Sequence, residues 1–226
     1  MKLSIIIPSY NEAATFPKII KRINQVKLKA EKEVIVVDDG STDGTRNKLT
    51  KISGVNKVFL KKNQGKGAAI RAGLAKSTGD YVLVQDADLE YDPEDIQSLL
   101  DPVLQGKAEV VYGTRFLGPH RNMLFWHLMG NKLLSLVTNV LFNTTISDME
   151  VGYKLIPAKL LKSLKLESDR FGFEPEVTAK ILMKGIRIYE VPISYAGREF
   201  SEGKKITWKD GLQAFYLLCR YRLVSF

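Results

Sequence analysis

The sequence has few of the residues that build disulfides and transition-metal sites. Among its 226 residues there are 1 cysteine, Cys219, and 2 histidines, His120 and His127. A single cysteine cannot form a disulfide within the chain, and these side chains are too few for the Cys/His sets that hold zinc. Any metal ion bound by this protein is therefore expected to be held by carboxylate oxygens.

The pattern of a secretory signal is also missing. The first residues pass directly into the apolar run at residues 5–7 and then Pro8. They lack the charged start, the longer apolar stretch and the small-residue cleavage site that such a signal needs. We therefore predict a cytoplasmic protein.

The composition is that of a folded domain that favours anionic partners. Hydrophobic residues make up 45% and charged residues 26% of the chain, which excludes collagen-like and wholly disordered proteins. Lys and Arg number 34 against 25 Asp and Glu, a net charge of +9. Such an excess predicts contact with nucleic acid, lipid headgroups or a phosphorylated substrate, and the charge alone does not choose among them.

Short apolar runs alternate with helix-like segments along the chain. Runs that are apolar on both faces are typical of parallel strands, and the helices between them would cover the sheet. We therefore predict an α/β fold, a Rossmann-like, mostly parallel sheet with helices on both faces, in a single domain. The predicted strands cover residues 3–7, 33–37, 55–60, 81–85, 110–112 and 186–191; the predicted helices start near residue 15 and after residue 43, and cover 66–75, 174–184 and 207–221.

Polar and glycine-rich loops follow four of the predicted strands. In open α/β sheets, ligands bind where loops leave the carboxyl ends of the strands. The loops expected to bind a ligand are therefore residues 8–12, 38–45, 63–67 and 86–93.

The last of these loops carries a cluster of carboxylates. Asp86, Asp88 and Glu90 alternate along an extended segment, which brings them to one side of the chain, where they repel one another unless a cation lies between them. We predict a site for Mg²⁺ or Mn²⁺, which take one or two carboxylates and leave positions for phosphate oxygens. The alternative is a solvated acidic loop. The pair Asp38 and Asp39 could line the same site or cap the turn that follows them.

A glycine-rich turn, Gly65-Lys66-Gly67, resembles nucleotide-binding loops only superficially. It lacks the upstream Gly and the Ser or Thr of a P-loop, and Ile70 stands where a dinucleotide-binding loop has its third glycine. We interpret it as a tight turn into a helix, whose N-terminus beside Lys66 can still attract phosphate.

Basic residues and a second acidic pair follow in the later half of the chain. Arg115 follows a predicted strand, and Arg198 and Lys204 occupy a polar loop, where they could bind phosphate or form a solvated basic surface. Asp148 and Glu150 could be an acid/base pair or a helix cap.

The segment 123–142 combines a wide apolar face with a narrow polar stripe. Of its 20 residues 13 are large and apolar, yet His127, Asn131, Ser135 and Asn139 recur every four residues. It is too polar to span a bilayer. Two interpretations stay open, a helix buried in the core or a helix lying in a membrane interface.

Taken in order, the motifs resemble those of the family 2 glycosyltransferases with a GT-A fold, and within them the dolichyl- or polyprenyl-phosphate mannosyltransferase group. The resemblance covers nearly the whole chain. The first and fourth motifs mark the wider family, and the last two are more specific to the lipid-phosphate group. The motifs are PSYNE (8–12), VVDDGSTDGT (36–45), NQGKGAAIRAGL (63–74), QDADLEYDPEDI (85–96), GTRF (113–116), SDMEVGYK (147–154), FGFEPEVTAKI (171–181) and EVPISYAGREFSEGKKITWKDG (190–211).

The resemblance assigns roles to individual residues. It implies one GT-A domain over residues 1–226, with a nucleotide-sugar half at 1–112 and an acceptor half with amphipathic helices at 113–226. Asp86, Ala87 and Asp88 match the DxD motif, Asp88 and Glu90 the metal-ligand places, and Arg115, Arg198 and Lys204 the contacts to donor and acceptor phosphates. Together with Asp88, these three basic residues are the implied catalytic set. Around the base and ribose of the nucleotide the resemblance places Pro8, Tyr10, Glu12, Val37 and Asp39.

The activity that the resemblance implies is inverting, metal-dependent transfer of a hexose, with mannose from GDP-mannose going to a polyprenyl or dolichyl phosphate. Glu90 departs from the family pattern, because relatives often carry Gln there, and the Gln-x-x-Arg-Trp signature of processive polysaccharide synthases is absent. With no spanning segment expected after Phe226, membrane contact on the cytoplasmic face would come from amphipathic helices or a partner. The protein partner expected is a membrane protein or a second copy of the chain in a homo-oligomer.

Two alternatives stay open beside this activity. One is a UDP-sugar-dependent transferase, moving glucose or another sugar, acting on a lipid or glycan hydroxyl with Asp148 or Glu150 as its base. The other is a non-catalytic basic binding protein. Nucleic acid is not an expected partner, because the predicted pocket is acidic.

Overall fold

A seven-stranded sheet surrounded by helices forms the body of the protein in the computed structural model, which describes residues 1–198 and 207–224. The strand order in this sheet is β3-β2-β1-β4-β6-β5-β7. The strands are β1 (Lys2–Ser9), β2 (Glu31–Asp38), β3 (Asn56–Phe59), β4 (Tyr81–Val84), β5 (Val110–Thr114), β6 (Lys154–Pro157) and β7 (Ile188–Pro192); the helices are α1 (Phe16–Gln25), α2 (Thr45–Thr50), α3 (Lys66–Lys76), α4 (Ile96–Leu104), α5 (Phe125–Phe142), α6 (Ala158–Ser163), α7 (Phe173–Met183) and α8 (Trp208–Val224).

The predicted α/β architecture is confirmed, and the buried strands explain it. Strand β1 pairs in parallel with β2 on one side and β4 on the other, so both its faces are covered and Leu3 and Ile5 are fully buried. Because its two neighbours continue to opposite edges of the sheet, a crevice opens at its carboxyl end. This end of the sheet positions the site described below.

Strand β6 was not predicted. It inserts antiparallel between β4 and β5, while β5 pairs in parallel with β7. Only four residues long, it begins at a buried lysine, Lys154, and ends at Pro157, so it carries no run that distinguishes a strand from a loop. The boundary between residues 112 and 113, which divides the two halves implied by the resemblance, falls inside β5, so both halves share one sheet.

Helix α5 turns its polar stripe towards the protein and its apolar face outwards. Ser135 accepts a hydrogen bond from the Met149 N–H at 3.0 Å, and Asn139 bonds both backbone groups of Ile146. On the opposite side Phe125 is 60% exposed and Leu136 57%. A helix buried in the core is therefore excluded for this segment, although Leu134 still packs in a small cluster with residues of α7 and α8.

Helix α8 extends the exposed apolar surface. Trp208, Leu212, Phe215 and Tyr216 are exposed beside α5. We call the exposed apolar side chains of α5 and α8 the apolar rim. No helix in the described ranges 1–198 and 207–224 is both long enough and apolar enough to cross a membrane.

Candidate active site

A cavity of about 1070 Å³ opens at the carboxyl end of the central strands. One wall is polar and comes from the loops after β1, β2 and β4 and from the start of α3. The opposite wall comes from α5 and α8 and includes Trp126, Leu133 and Phe215 of the apolar rim. Predicted site residues that line the cavity are Pro8, Tyr10, Glu12, Asp39, Asp86, Ala87, Asp88, Glu90, Arg115 and Arg198.

Two predicted residues are not among those that line it. Val37 is fully buried in β2, and its Cγ2 lies beside Gly73 of α3, where an added Cβ would come within 3.2 Å. Its role at the nucleotide stays a prediction that the side-chain position does not support. Lys204 lies outside the described residues, as does the predicted loop from 199 onwards.

The two adjacent aspartates at the end of β2 have different roles. Asp38 is fully buried and binds Arg46 Nε at 2.7 Å and the Ser41 N–H at 3.3 Å, so it holds the turn that follows β2. Asp39 faces the cavity and accepts the N–H groups of Gln64 and Gly65, both at 2.8 Å. Burial raises the pKa of Asp39. Asp39 therefore ties the second polar loop to the third at the cavity wall.

The glycine-rich turn before α3 serves close packing. A Cβ on Gly67 would meet the Ser168 carbonyl oxygen at 2.1 Å, and one on Gly65 the Asp169 carbonyl oxygen at 2.5 Å. The turn is therefore filled by the chain at residues 168–169, which agrees with its interpretation as a tight turn into a helix. Lys66 bridges Asp86 at 2.9 Å and Glu174 of α7 at 2.8 Å.

Arg198 binds two carboxylates of the acidic cluster, by which we mean Asp86, Asp88 and Glu90. Its Nη2 lies 2.9 Å from Asp88 Oδ2 and its Nε 3.2 Å from Glu90 Oε1. Its Nη1 lies 3.6 Å from Glu12 Oε1, on the loop after β1. Tyr195 donates a hydrogen bond to the other oxygen of Glu90 at 2.8 Å. One guanidinium thus joins carboxylates from two different strand ends.

The donor set of the cluster fits a hard divalent cation. Burial, then the charges of Asp86 and Glu90, raise the pKa of Asp88 to about 7, so this group resists ionising without further positive charge. No three His, Cys, Asp or Glu side chains of the described chain stand close enough to hold an ion among themselves. The described side chains of Asp86, Asp88 and Glu90 are therefore not arranged to hold an ion by themselves, and their role as metal ligands stays a prediction. Mg²⁺ and Mn²⁺ commonly bind through one or two carboxylates and complete their shell with waters and phosphate oxygens.

Removing Arg198 should weaken activity without unfolding the protein. We expect Arg198→Ala to lower kcat/KM roughly ten- to hundredfold, because charge-assisted hydrogen bonds contribute about 1.5–3 kcal/mol. Steady-state kinetics with a fixed metal concentration measures this loss. Arg71→Ala is the control, because Arg71 binds Ser168 and Asp169 away from the acidic cluster. Wild-type kinetics in Arg198→Ala would limit the role of Arg198 to balancing the charges of Asp88 and Glu90.

Arg115 and Asp148 form a buried ion pair at the cavity edge. Arg115 Nε and Nη2 each donate to an Asp148 oxygen at 2.7 Å, and the Arg115 backbone N–H adds a third bond at 3.0 Å. Asp148 is fully buried. Its two oxygens are thus committed to Arg115, which makes Asp148 a poor general base and leaves one guanidinium nitrogen, Nη1, outside the pair.

Glu150 differs from Asp148 in its surroundings. It lines the cavity, and burial, followed by the charge of Glu174, raises its pKa to about 7. The folded state therefore holds this proton more tightly than the unfolded chain does, and the free energy of unfolding should fall as the pH rises from about 4.5 to about 7.

Glu150→Gln should remove that loss of stability. We expect the variant to be more stable than the wild type by roughly 1–2 kcal/mol at pH 8 and close to it at pH 4.5. Urea titrations across this range measure the difference. A gap that stays constant with pH would contradict the raised pKa.

Several residues of the site were not predicted from the sequence. Arg170 lines the cavity from just before α7 and Glu174 from within α7. Trp126 lines it from α5 and Trp208 from α8. The signal available for Glu174 is the motif at residues 171–181, which holds it together with Glu176, and Arg170 immediately precedes that motif.

Comparison with known proteins identifies the family. The model of glycosyl transferase family 2 matches residues 4–164. Undecaprenyl-phosphate mannosyltransferase of Micrococcus luteus is 32% identical over 90% of this chain and 87% of its own length. Glycosyltransferase AglJ of Haloferax volcanii is 31% identical over 86% of this chain, and dolichol-phosphate mannosyltransferase of Pyrococcus furiosus 29% over 90%. The aligned part spans 63% and 59% of these two relatives.

Solved structures support the fold. Glucosyl-3-phosphoglycerate synthase from Mycobacterium tuberculosis, in complex with Mn²⁺, UDP and glucosyl-3-phosphoglycerate, superimposes with a TM-score of 0.76 at 22% identity, covering 97% of this chain and 79% of that one. Its complex with Mn²⁺, UDP and phosphoglyceric acid gives a TM-score of 0.78. The match to the family model and the identity to the Micrococcus relative establish that this chain belongs to glycosyl transferase family 2.

Proposed function

We propose that the protein transfers a hexose, mannose from GDP-mannose, to the phosphate of a polyprenyl lipid with inversion at the anomeric carbon. The observation that carries this proposal is the composition of the cavity. Its polar wall holds the acidic cluster and Arg198, and its other wall belongs to the apolar rim. Such a site suits a charged nucleotide sugar on one side and a lipid-linked phosphate on the other. The relatives named for undecaprenyl and dolichol phosphate support the same acceptor class.

The donor would bind along the strand ends. Pro8, Tyr10 and Asp39 line the part of the cavity next to β1 and β2, where the base and ribose would lie. Mg²⁺ or Mn²⁺ would bind through one or two of the carboxylates of Asp86, Asp88 and Glu90 together with phosphate oxygens of the donor. Arg198 would exchange its present carboxylate partners for phosphate oxygens. When bound, the ion would neutralise charge that develops on the departing nucleoside diphosphate.

The acceptor needs no general base. A lipid monophosphate has a second pKa of about 6 and is a nucleophilic anion near neutral pH. One of its oxygens attacks the anomeric carbon while the bond from that carbon to the diphosphate oxygen breaks, so no proton is transferred. Arg115, Arg198 and Lys204 would orient the phosphate, and catalysis would come from positioning and charge stabilisation.

The apolar rim would rest on the cytoplasmic face of the membrane. Exposed side chains of α5 and α8 lie at the mouth of the cavity, where an acceptor with its tail in lipid must enter. Basic residues accompany them and suit anionic headgroups. These exposed basic residues are Arg121, Lys132, Lys209, Arg220 and Arg222.

The alternative with a hydroxyl acceptor requires a base. Asp148 is bound on both oxygens by Arg115, so this alternative would depend on Glu150, whose pKa of about 7 suits proton removal. It gains no support from the basic residues at the cavity, which suit an anionic acceptor.

A donor and acceptor panel tests the proposal. Purified protein with Mn²⁺ or Mg²⁺ is given GDP-mannose or UDP-glucose, together with a short polyprenyl phosphate or the matching polyprenol, and nucleotide release is measured. We expect release from GDP-mannose that requires the metal and the phosphorylated lipid. Release with polyprenol, or only from UDP-glucose, would favour the alternative.

A further inference from the structure

Glu150 carries a buried oxygen that lacks a hydrogen-bond donor. It lies on the cavity wall between α5 and β6, and its Oε1 is buried without a partner among the described residues. Buried polar atoms are almost always hydrogen-bonded, because an unsatisfied one is costly. Because Glu150 lines a ligand cavity, this unsatisfied oxygen points to a donor group supplied by the ligand.

The charged groups around Glu150 do not satisfy it. The charges acting on it are those of Glu174 from α7, Lys154 at the start of β6, and the pair Arg115 and Asp148. Lys154 Nζ donates instead to the carbonyl oxygens of Met149 at 2.7 Å and Val151 at 2.6 Å. Arg115 is bound to Asp148. Neither of these two cations donates a hydrogen bond to Glu150 Oε1.

Glu150 lies on the side of the cavity where the donor would bind. Its strongest charged neighbour, Glu174, is bound to Lys66, which also binds Asp86 at the end of β4. Gly152 lies between these regions, and a Cβ there would come within 2.9 Å of Asp86 Oδ2. The lack of a side chain at Gly152 therefore lets the segment carrying Glu150 approach the acidic cluster closely.

We propose that Glu150 accepts a hydrogen bond from a hydroxyl group of the hexose in the nucleotide sugar, and is a specificity-determining residue of the donor site. This inference rests on the proposed function. A phosphate group would be repelled by the carboxylate, whereas a sugar hydroxyl both donates and accepts. Because the pKa of Glu150 is about 7, both of its protonation forms occur near neutral pH, and a hydroxyl satisfies either one.

Binding measurements that separate the sugar from the nucleotide test this inference. Wild type, Glu150→Ala and Glu150→Gln are titrated calorimetrically with Mn²⁺ present, using GDP against GDP-mannose and UDP against UDP-glucose. We expect Glu150→Ala to bind the nucleotide sugar roughly ten- to hundredfold more weakly, with unchanged affinity for the nucleotide alone. Glu150→Gln keeps an accepting oxygen of the same shape and should lose less.

The other outcomes overturn the inference in distinguishable ways. Equal weakening of nucleotide and nucleotide sugar would make Glu150 a structural residue. Unchanged affinity with a fall in kcat, and a pH–rate profile that loses its limb near pH 7, would make it a general base. Wild-type protein that binds neither nucleotide sugar would overturn the proposed function together with this inference. Thermal melts verify folding, and if Glu150→Ala is unfolded, the isosteric Glu150→Gln gives the answer.

Discussion

Asp88→Asn is expected to reduce kcat/KM by roughly a hundredfold or more, because a metal ion contributes several kcal/mol of charge stabilisation. Asn keeps the shape of the side chain but removes the charge that a hard cation prefers. The fold should survive, since the change removes a buried acid whose pKa of about 7 already signals an unfavourable charge. Electron paramagnetic resonance with Mn²⁺ gives the ion affinity independently of turnover, and we expect that affinity to fall as well.

Asp92→Asn is the matched control for this change. Asp92 lies four residues further along the same loop, pairs with Arg22 at 2.6 Å and accepts the Glu94 N–H as the cap of the turn at Pro93–Asp95. Asn serves equally well at such a cap. Asp92→Asn should therefore keep its ion affinity and activity. Equal losses in both variants, or unchanged metal-dependent turnover in Asp88→Asn, would refute the assignment of Asp88 as a ligand.

The double variant Phe125→Asp/Leu136→Asp is expected to abolish binding to anionic vesicles while the protein stays folded. Each side chain would contribute about 1.5–3 kcal/mol when buried in lipid, and each new charge would be repelled by the headgroups. Both side chains are already exposed, so their replacement costs little packing. Vesicle sedimentation measures binding and thermal melts measure folding. Wild-type binding should weaken with salt without vanishing, since apolar burial is not screened.

Leu104→Asp is the control for this second experiment. Leu104 is the last residue of α4 and 42% exposed, and it does not belong to the apolar rim. Its variant should bind vesicles like the wild type. Unfolded rim variants, or a wild type that ignores vesicles, would reject the membrane-facing role of α5.

The acidic cluster shows which features of this site local sequence patterns can predict. Alternation of Asp86, Asp88 and Glu90 after a buried strand was enough to predict carboxylates at the carboxyl edge of the sheet, where all three line the cavity. The partners of these carboxylates were not predictable from spacing. Arg198 and Lys66 reach them from distant segments, and the Lys66–Glu174 contact joins residues 108 positions apart.

Helix α5 shows the same division between what the sequence predicts and what only the tertiary structure shows. Its four-residue stripe predicted an amphipathic helix, but an apolar face packs equally well against a core or a bilayer, so periodicity could not choose between them. The outward orientation of the apolar face follows from backbone groups of the segment after the helix, at Ile146 and Met149, which Asn139 and Ser135 satisfy and which turn the polar stripe inwards.

The sequence by itself determined the parallel strands and the polar loops at their ends, because apolar runs and turn residues act through neighbours in the chain. Tertiary structure decided the antiparallel insertion of β6, the pairing of Asp148 with Arg115 and the unsatisfied oxygen of Glu150. These features depend on which segments meet in three dimensions. The charge state and hydrogen bonding of a buried carboxylate are set by those neighbours and by the loss of water around it. Neither property can therefore be predicted from the residues adjacent to it in sequence.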